Sequence, residues 1–366
     1  MARSKFESSC HEMSRGGILP HDRSVIQTTP DSMRTAIESS QTVLEAGTMD
    51  RRRFLKELGL IALAGATSGL AGCARAITDA TSTARRSGDV VEKQLKKPPR
   101  ENKGPGAPRD IAIVSGGSPS ANLEKALLAL GGIELFVRPG DRVIIKPNLL
   151  TAREPQYAVT TNPELVGALV SRILEAGASD VLVFDYSTGS QADALEASGI
   201  GDAVKKAGGR TKILTENDFE SVAIPRGKVL KSWPFVKDIF EADVFINVPI
   251  AKTHGLAGLT LGLKNLMGVM GDPRGQIHID FHEKIVDVYS LIKPHLTILD
   301  AHRILVRNGP TGGDLKDVEI RKTLIAGTDT VAVDSVATGL FGMKPQDLRY
   351  LMNAAARGLG KIYQPQ

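Results

Sequence analysis

From Asp110 onward, short apolar and β-branched runs alternate with longer stretches whose apolar positions recur every three or four residues. The runs 110–116, 141–148, 180–186, 211–215, 243–250, 295–301 and 322–327 are almost continuously apolar, and each predicts a strand buried on both faces. Helices are predicted between or after them at 120–132, 162–178, near 199–207, near 234–241, at 283–292, near 329–341 and at 345–356. The stretch 162–178 carries the fullest set of signals. Asn162 is placed to cap it, Pro163 suits its first position, and apolar residues stand at 165, 166, 169, 170, 173 and 174. Gly177 stops it.

Strands that alternate with helices imply right-handed crossovers. The expectation is an α/β fold, a mostly parallel sheet with helices on both faces, in a single large domain over 109–356 with a short tail at 357–366. In such sheets ligands bind beyond the carboxyl ends of the strands. The residues there are Lys146-Pro147-Asn148, Asp185-Tyr186-Ser187, Lys252-Thr253-His254 and Asp300-Ala301-His302-Arg303. Chemically capable side chains recur at this one edge, which favours a site over scattered surface polarity.

Pro147 fixes the backbone between Lys146 and Asn148, so the two side chains leave the strand end in set directions. The lysine offers a point charge for a carboxylate or phosphate, and the asparagine a donor and an acceptor. The stretch from Ala251 to His282 adds Lys252, His254, Lys264 and Asn265 on a glycine-rich chain, whose N–H groups stand open to an anion. It lacks the spacing of a P-loop, and no Gly-x-Gly-x-x-Gly follows the first strand, so a nucleotide site is not expected. His278 and His282 lie four apart with Asp280 between them. They read either as a pair of metal ligands or as ordinary hydrogen-bonded histidines, one of which acts as a general acid or base. The first reading makes a divalent metal the cofactor to look for. Five of the seven histidines fall between 254 and 302. Asp300 is placed to orient a histidine or a metal. The loop at 306–315 reads as a turn or as part of the site, and Asp334 as a ligand-binding carboxylate or a buried group satisfied by its neighbours.

The first hundred residues have a different character. Arg51-Arg52-Arg53-Phe54-Leu55-Lys56 precedes an apolar run from Leu58 to Gly72, too short to span a bilayer as a helix. This layout resembles a twin-arginine export signal, and Leu70-Ala71-Gly72-Cys73 resembles a bacterial lipobox, in which the cysteine becomes the lipidated terminus. The expectation is an exported protein, held on the periplasmic face of a bacterial membrane through lipidated Cys73. Residues 1–48 read as a disordered extension or as a start assigned too early, with Met33 or Met49 as the true start. Residues 74–108 read as a linker.

Composition narrows the partners. The net charge of +5 is mild for 366 residues, and aromatics are 4% with a single tryptophan, Trp233. A nucleic-acid surface needs more of both, so none is expected. The charge suits a small anionic ligand or an acidic membrane surface, and specifies neither. No cysteine follows Cys73, so the body of the chain has no ligands for an iron–sulfur cluster.

Taken in order, Lys146-Pro147-Asn148, Pro249-x-x-Lys252-x-His254, Gly262-Leu263-Lys264-Asn265-x-x-Gly268, His278 or His282, Asn308-Gly309-Pro310 and Gly327-x-Asp329-x-Val331-Ala332-x-Asp334 resemble the bacterial and archaeal family catalogued as domain of unknown function 362. The resemblance covers about residues 109–345 and implies no assigned reaction. Some members of that family are joined to ferredoxin-like modules. This chain has no such cysteines, which leaves any redox partner to a separate protein. A weaker similarity, to the nickel-dependent lactate racemase group, is an analogy of fold alone. The expected function is binding of a small anionic metabolite, with conversion by Lys/His chemistry. Lys146, Asn148, Lys252, Asn265, Asp300 and Asp334 would bind, and His254, His282 and Lys264 would react. The alternative is a lipoprotein that binds a ligand or partner without turnover.

Overall fold

A computed structural model describes residues 90–98 and 110–363. The signal-like segment, Cys73 and the far N-terminus lie outside the described residues. No helix among the described residues is long and apolar enough to cross a membrane.

The chain enters at β1 (Ile111–Ser115), followed by α1 (Pro119–Ala129), β2 (Arg142–Pro147), α2 (Pro163–Glu175) and β3 (Asp180–Val183). Two short helices, α3 (Gln191–Ala197) and α4 (Ile200–Lys206), lead to β4 (Arg210–Thr211). A hairpin of β5 (Phe219–Ala223) and β6 (Ser232–Val236) forms a separate two-stranded sheet, and α5 (Asp238–Glu241) follows it. The central run is β7 (Val244–Val248), β8 (Ile250–His254), β9 (Gly258–Thr260) and the single turn α6 (Gly262–Asn265). The remainder is α7 (Phe281–Leu291), β10 (Leu296–Leu305), β11 (Val318–Gly327), α8 (Thr330–Ala337) and α9 (Arg349–Ala356).

The main sheet has the order β1-β11-β10-β7-β2-β3-β4, with β8 on β10 and β9 on β8. Pairings among β10, β7, β2, β3 and β4 are parallel, while β11 runs antiparallel to both β1 and β10. The mostly parallel sheet with helices on both faces is thus the observed fold. The pleat shows why the strands read as unbroken apolar runs. Val143 and Ile145 of β2 enter one core with Leu123 of α1 and Leu169 of α2, while Ile144 enters the opposite core with Ile285 of α7 and Leu351 of α9. On α2 the buried stripe is Leu165, Val166, Leu169, Val170 and Ile173, each stabilising the fold by about 1.5–3 kcal/mol. Asn162 caps this helix by accepting from the Glu164 N–H at 3.0 Å.

Three local expectations are corrected. The stretch near 234–241 is helical only from Asp238; residues 232–236 form β6, where Phe235 and Val236 are buried. The strand expected at 211–215 shrinks to Arg210–Thr211, because Ile213 is exposed and the backbone of Leu214 bonds to the Gln191 side chain instead of to a neighbouring strand. Within the stretch read as a linker, residues 90–98 lie along the domain. Val91 bridges β5, and Lys96 and Lys97 pair with Asp243 and Asp141 just before β7 and β2.

One break in the sheet creates the space for a ligand. Through Val248, the run formed by β7 pairs with β2. Pro249 follows, and beyond it β8 pairs only with β10 and β9. The ends of β2 and β8 therefore part, and a cavity of about 330 Å³ lies between them.

Candidate functional site

The floor of this cavity is a closed polar network. Asn265, at the end of α6, donates to Asn247 Oδ1 at 2.8 Å and accepts from Lys146 Nζ at 2.8 Å and Asn148 Nδ2 at 2.9 Å. Lys146 also donates to the Pro147 carbonyl at 2.7 Å and forms an ion pair with Asp185 Oδ1 at 2.9 Å. Lys252 donates to Asn148 Oδ1 at 3.0 Å and to the Val159 carbonyl at 2.6 Å. Lys146, Asn148, Lys252 and Asn265, all expected to bind ligand, thus line the cavity while holding one another in place.

Two glycines allow this packing. A Cβ on Gly268 would stand 1.7 Å from Asp185 Oδ1 and 2.5 Å from Lys146 Cε, so the ion pair forms only against a bare backbone. A Cβ on Gly262 would meet Thr330 Cγ2 at 2.6 Å and Asp334 Oδ1 at 2.8 Å. That close approach lets the Asp334 carboxylate accept from the N–H groups of Gly262 at 2.7 Å and Leu263 at 2.9 Å, which pins the first turn of α6.

The reactive groups stand above that floor. Lys264 lines the cavity with no carboxylate in ion-pair range and no hydrogen-bond partner among the described residues; its ammonium lies 5.6 Å from the centre of the Phe281 ring. Burial, with Arg274 and Lys146 nearby, lowers its pKa to about 7. Burial lowers Lys146 to about 8 against the pull of Asp185, and takes Lys252 well below the ordinary lysine value. Arg274 enters from the turn 274–278, its guanidinium 4.7 Å from the Tyr186 ring centre and donating to the Tyr186 and Ser187 carbonyls. Neither the sequence pattern nor a strand end marked Arg274. An arginine after Asp272-Pro273, between two stretches that carry site residues, was the one available signal.

The two cavity histidines have their tautomers fixed by backbone partners. His254 Nδ1 faces the N–H groups of Leu256 at 3.1 Å and Ala257 at 3.2 Å, which can only donate. Nδ1 therefore holds a lone pair, and in the neutral ring Nε2 carries the proton. Burial and the cations around it push this histidine down to about 3. His278 Nδ1 faces the Gly275 carbonyl at 3.2 Å, which can only accept, so there the proton is on Nδ1 and Nε2 offers a lone pair. His254 is thus a neutral donor, and His278 is the imidazole with base character.

Other expected residues lie elsewhere. His282 does not line the cavity; it begins α7 with its ring stacked on Tyr350 at 6.2 Å. Asp280, at φ 57°, breaks the chain between His278 and His282, so the two occupy different elements rather than one helical face. Among the described residues, no three His, Cys, Asp or Glu side chains gather as metal ligands. Asp300 accepts from the N–H groups of Asn162 at 2.8 Å and His302 at 3.0 Å, and burial raises it to about 6. Burial also raises Asp334, to about 7. Both aspartates order backbone around the site without lining it. Pro310 and Thr311 of the loop 306–315 do line it.

The model of a family described as Domain of unknown function (DUF362) matches residues 143–339, a span that contains every cavity residue named above. A thylakoid-associated protein of Synechocystis sp. is 33% identical over 243 residues, which cover 63% of this chain and 72% of that protein. Among solved structures, the lactate racemase apoprotein of Thermoanaerobacterium thermosaccharolyticum is 14% identical with a TM-score of 0.36, over 61% of this chain and 55% of that one. A Thermotoga maritima protein is 13% identical with a TM-score of 0.35, over 66% and 60%. The chain thus spans less than two thirds of each of these two structures.

Proposed function

We propose that this chain, which belongs to the family of the domain of unknown function DUF362, binds a small anionic metabolite between the ends of β2 and β8 and acts on it through Lys264 and His278. One observation carries the reading. Lys252 and Arg274 line one cavity with no carboxylate in ion-pair range among the described residues, and the one carboxylate that lines it, Asp185, is engaged by Lys146. Buried cations without counter-ions are costly, and a carboxylate or phosphate ligand would supply the missing charge. A volume of about 330 Å³ suits a small molecule.

The neutral His254 would donate from Nε2 to a ligand oxygen, stabilising negative charge that develops there. His278 would take or return a proton at Nε2. Calorimetric titration of the full chain with malonate and with phosphate tests the binding. Heat of binding that weakens in Arg274→Ala is the expected result. No heat with either anion, at a protein concentration that detects micromolar affinity, would reject it.

We also propose that the domain is exported and lipid-anchored at Cys73. This rests on Arg51-Arg52 and the run ending in Cys73, and on nothing in the fold. Labelling of cells with a radioactive fatty acid should mark the protein and not its Cys73→Ser variant. A wild-type chain that remains unlabelled and soluble would refute it.

A further inference from the structure

Lys264 differs from the other lysines of the cavity in a way that bears on chemistry. Lys146 donates to Pro147 and Asn265 and is paired with Asp185, and Lys252 is tied to Asn148 and Val159. The Lys264 amine has no such partner among the described residues, yet it stands inside the same cavity. The charged and titratable groups around it come from every side. Lys146 and Asp185 lie at the ends of β2 and β3, Lys252 and His254 on β8, and Arg274 and His278 on the turn that precedes α7. Four of these six are lysines or histidines and one is an arginine, so the site disfavours another positive charge. A structural or purely charge-bearing lysine needs a counter-ion or acceptors, and this one has neither among the described residues.

We propose that Lys264 is a nucleophile that forms an imine with the carbonyl carbon of a ketone or aldehyde that also carries a carboxylate or phosphate. The proposal rests on the anion-binding reading and names its substrate class. Arg274 and Lys252 hold the anionic group, which leaves the Lys264 amine free to attack. In that step the amine nitrogen bonds to the carbonyl carbon while the C=O π pair moves to oxygen, where the His254 Nε2–H receives it. Two protons then pass from nitrogen to that oxygen, with His278 Nε2 able to carry them. The C–O bond breaks, water leaves, and a C=N bond remains. No oxidant, reductant or metal enters the balance.

Depression of the amine by burial and by Arg274 agrees with this role, because only the neutral amine attacks. The neighbouring histidines are suited to it by their tautomers. One presents a proton to the cavity and the other a lone pair, and their rings lie 6.0 Å apart.

The test is reductive trapping on the full chain. The protein is incubated with sodium cyanoborohydride and one of pyruvate, α-ketoglutarate or dihydroxyacetone phosphate, then digested and mapped by mass spectrometry. The expected result is a reduced adduct on Lys264 Nζ in large excess over surface lysines. It should be absent from Lys264→Arg, which keeps the charge and cannot form the imine under these conditions. Lys264→Gln is a second variant, and thermal melting shows whether each folds. Malonate should compete and slow the trapping.

Binding of malonate or phosphate without any Lys264 adduct from the three carbonyl probes would overturn the imine and leave the anion site standing. Labelling of Lys264 no faster than surface lysines would do the same. No anion binding together with no adduct would overturn both readings.

Discussion

His254 and His278 stand with ring centres 6.0 Å apart and planes inclined by 25°, and backbone partners hold them in opposite tautomers. The chain thus places a fixed N–H donor beside a fixed lone pair at the mouth of a cationic cavity. Nitrogen-15 NMR of the histidine side chains checks this directly. His254 should show its proton on Nε2 and no titration near the ordinary histidine value of about 6.5. His278 should show its proton on Nδ1 and should titrate below that value, since burial and the Lys264 charge oppose its protonation. A His254 that titrates like a free histidine would remove it as a neutral donor.

The pH dependence of stability follows from the lysines. Lys264 titrates near 7 and Lys146 near 8 in the folded chain, against 10.5 for the ordinary side chain. Between these values the unfolded chain binds more protons than the folded one. Stability then rises with pH, and the penalty is fully present below about 7. The ligand-free protein should gain thermal midpoint between about pH 7 and 10. Lys264→Gln should flatten the lower part of that rise. A saturating anion should flatten it too, because it raises both lysine pKa values toward the unfolded reference.

How far the site was legible depended on where each residue sat relative to a strand end. Lys146 and Asn148 stand at the end of one plain apolar run and Lys252 and His254 just past another, so their convergence could be expected from the sheet alone. Arg274 belongs to no strand; it reaches the cavity because the turn before α7 folds back onto Tyr186, a long-range event that no local pattern encodes. Asp300 and Asp334 were ambiguous for a different reason. A buried carboxylate near a site can serve backbone N–H groups as well as a ligand, and one sequence does not distinguish the two. Strand direction was equally hidden. A short apolar run looks the same in β11, which is antiparallel, as in β2, which is not. The β5–β6 hairpin was obscured because Phe235 and Ile239, four residues apart, are both buried and mimic a helical stripe across a strand and a short helix.

The clamp between Asp334 and α6 should matter for stability and for binding together. Asp334→Ala leaves the Gly262 and Leu263 N–H groups buried without acceptors, at about 1–3 kcal/mol each. Urea unfolding should show a loss of about 2–6 kcal/mol. Anion affinity should fall as well, because Lys264 and Asn265 ride on the turn this carboxylate pins. Asp334→Asn, which keeps one acceptor, should lie between. An alanine variant that loses stability and binds anions as the wild type does would separate the clamp from the site.

Gly268→Ala probes the cavity floor. The added methyl would collide with the Asp185 carboxylate and the Lys146 side chain, so the ion pair must open or the turn must move. Overpacking of this kind costs about 1–3 kcal/mol. An opened pair would also leave Lys146 buried without its counter-ion and shift it further toward the neutral amine. The variant should unfold at lower urea and bind malonate more weakly. A variant of unchanged stability would show that the backbone at Gly268 yields more readily than its contacts imply.

Arg274 offers the sharpest separation of binding from folding. Its guanidinium rests on the Tyr186 ring and donates to two carbonyls of the loop after β3, but it has no carboxylate partner among the described residues. Arg274→Lys keeps the charge and loses the planar fork that grips a carboxylate or phosphate through two bonds. A charge-assisted hydrogen bond contributes about 1.5–3 kcal/mol, so malonate affinity should fall roughly tenfold to hundredfold. Removal of the site's repulsion works the other way on Lys264, whose pKa Arg274 helps to depress. Arg274→Ala should therefore bind more weakly still while Lys264 becomes more basic. Titration of that amine by its rate of modification with an acylating reagent across pH reads the second effect, and calorimetry reads the first. Weaker binding with no change in the Lys264 profile would place Arg274 on the ligand and not beside the amine.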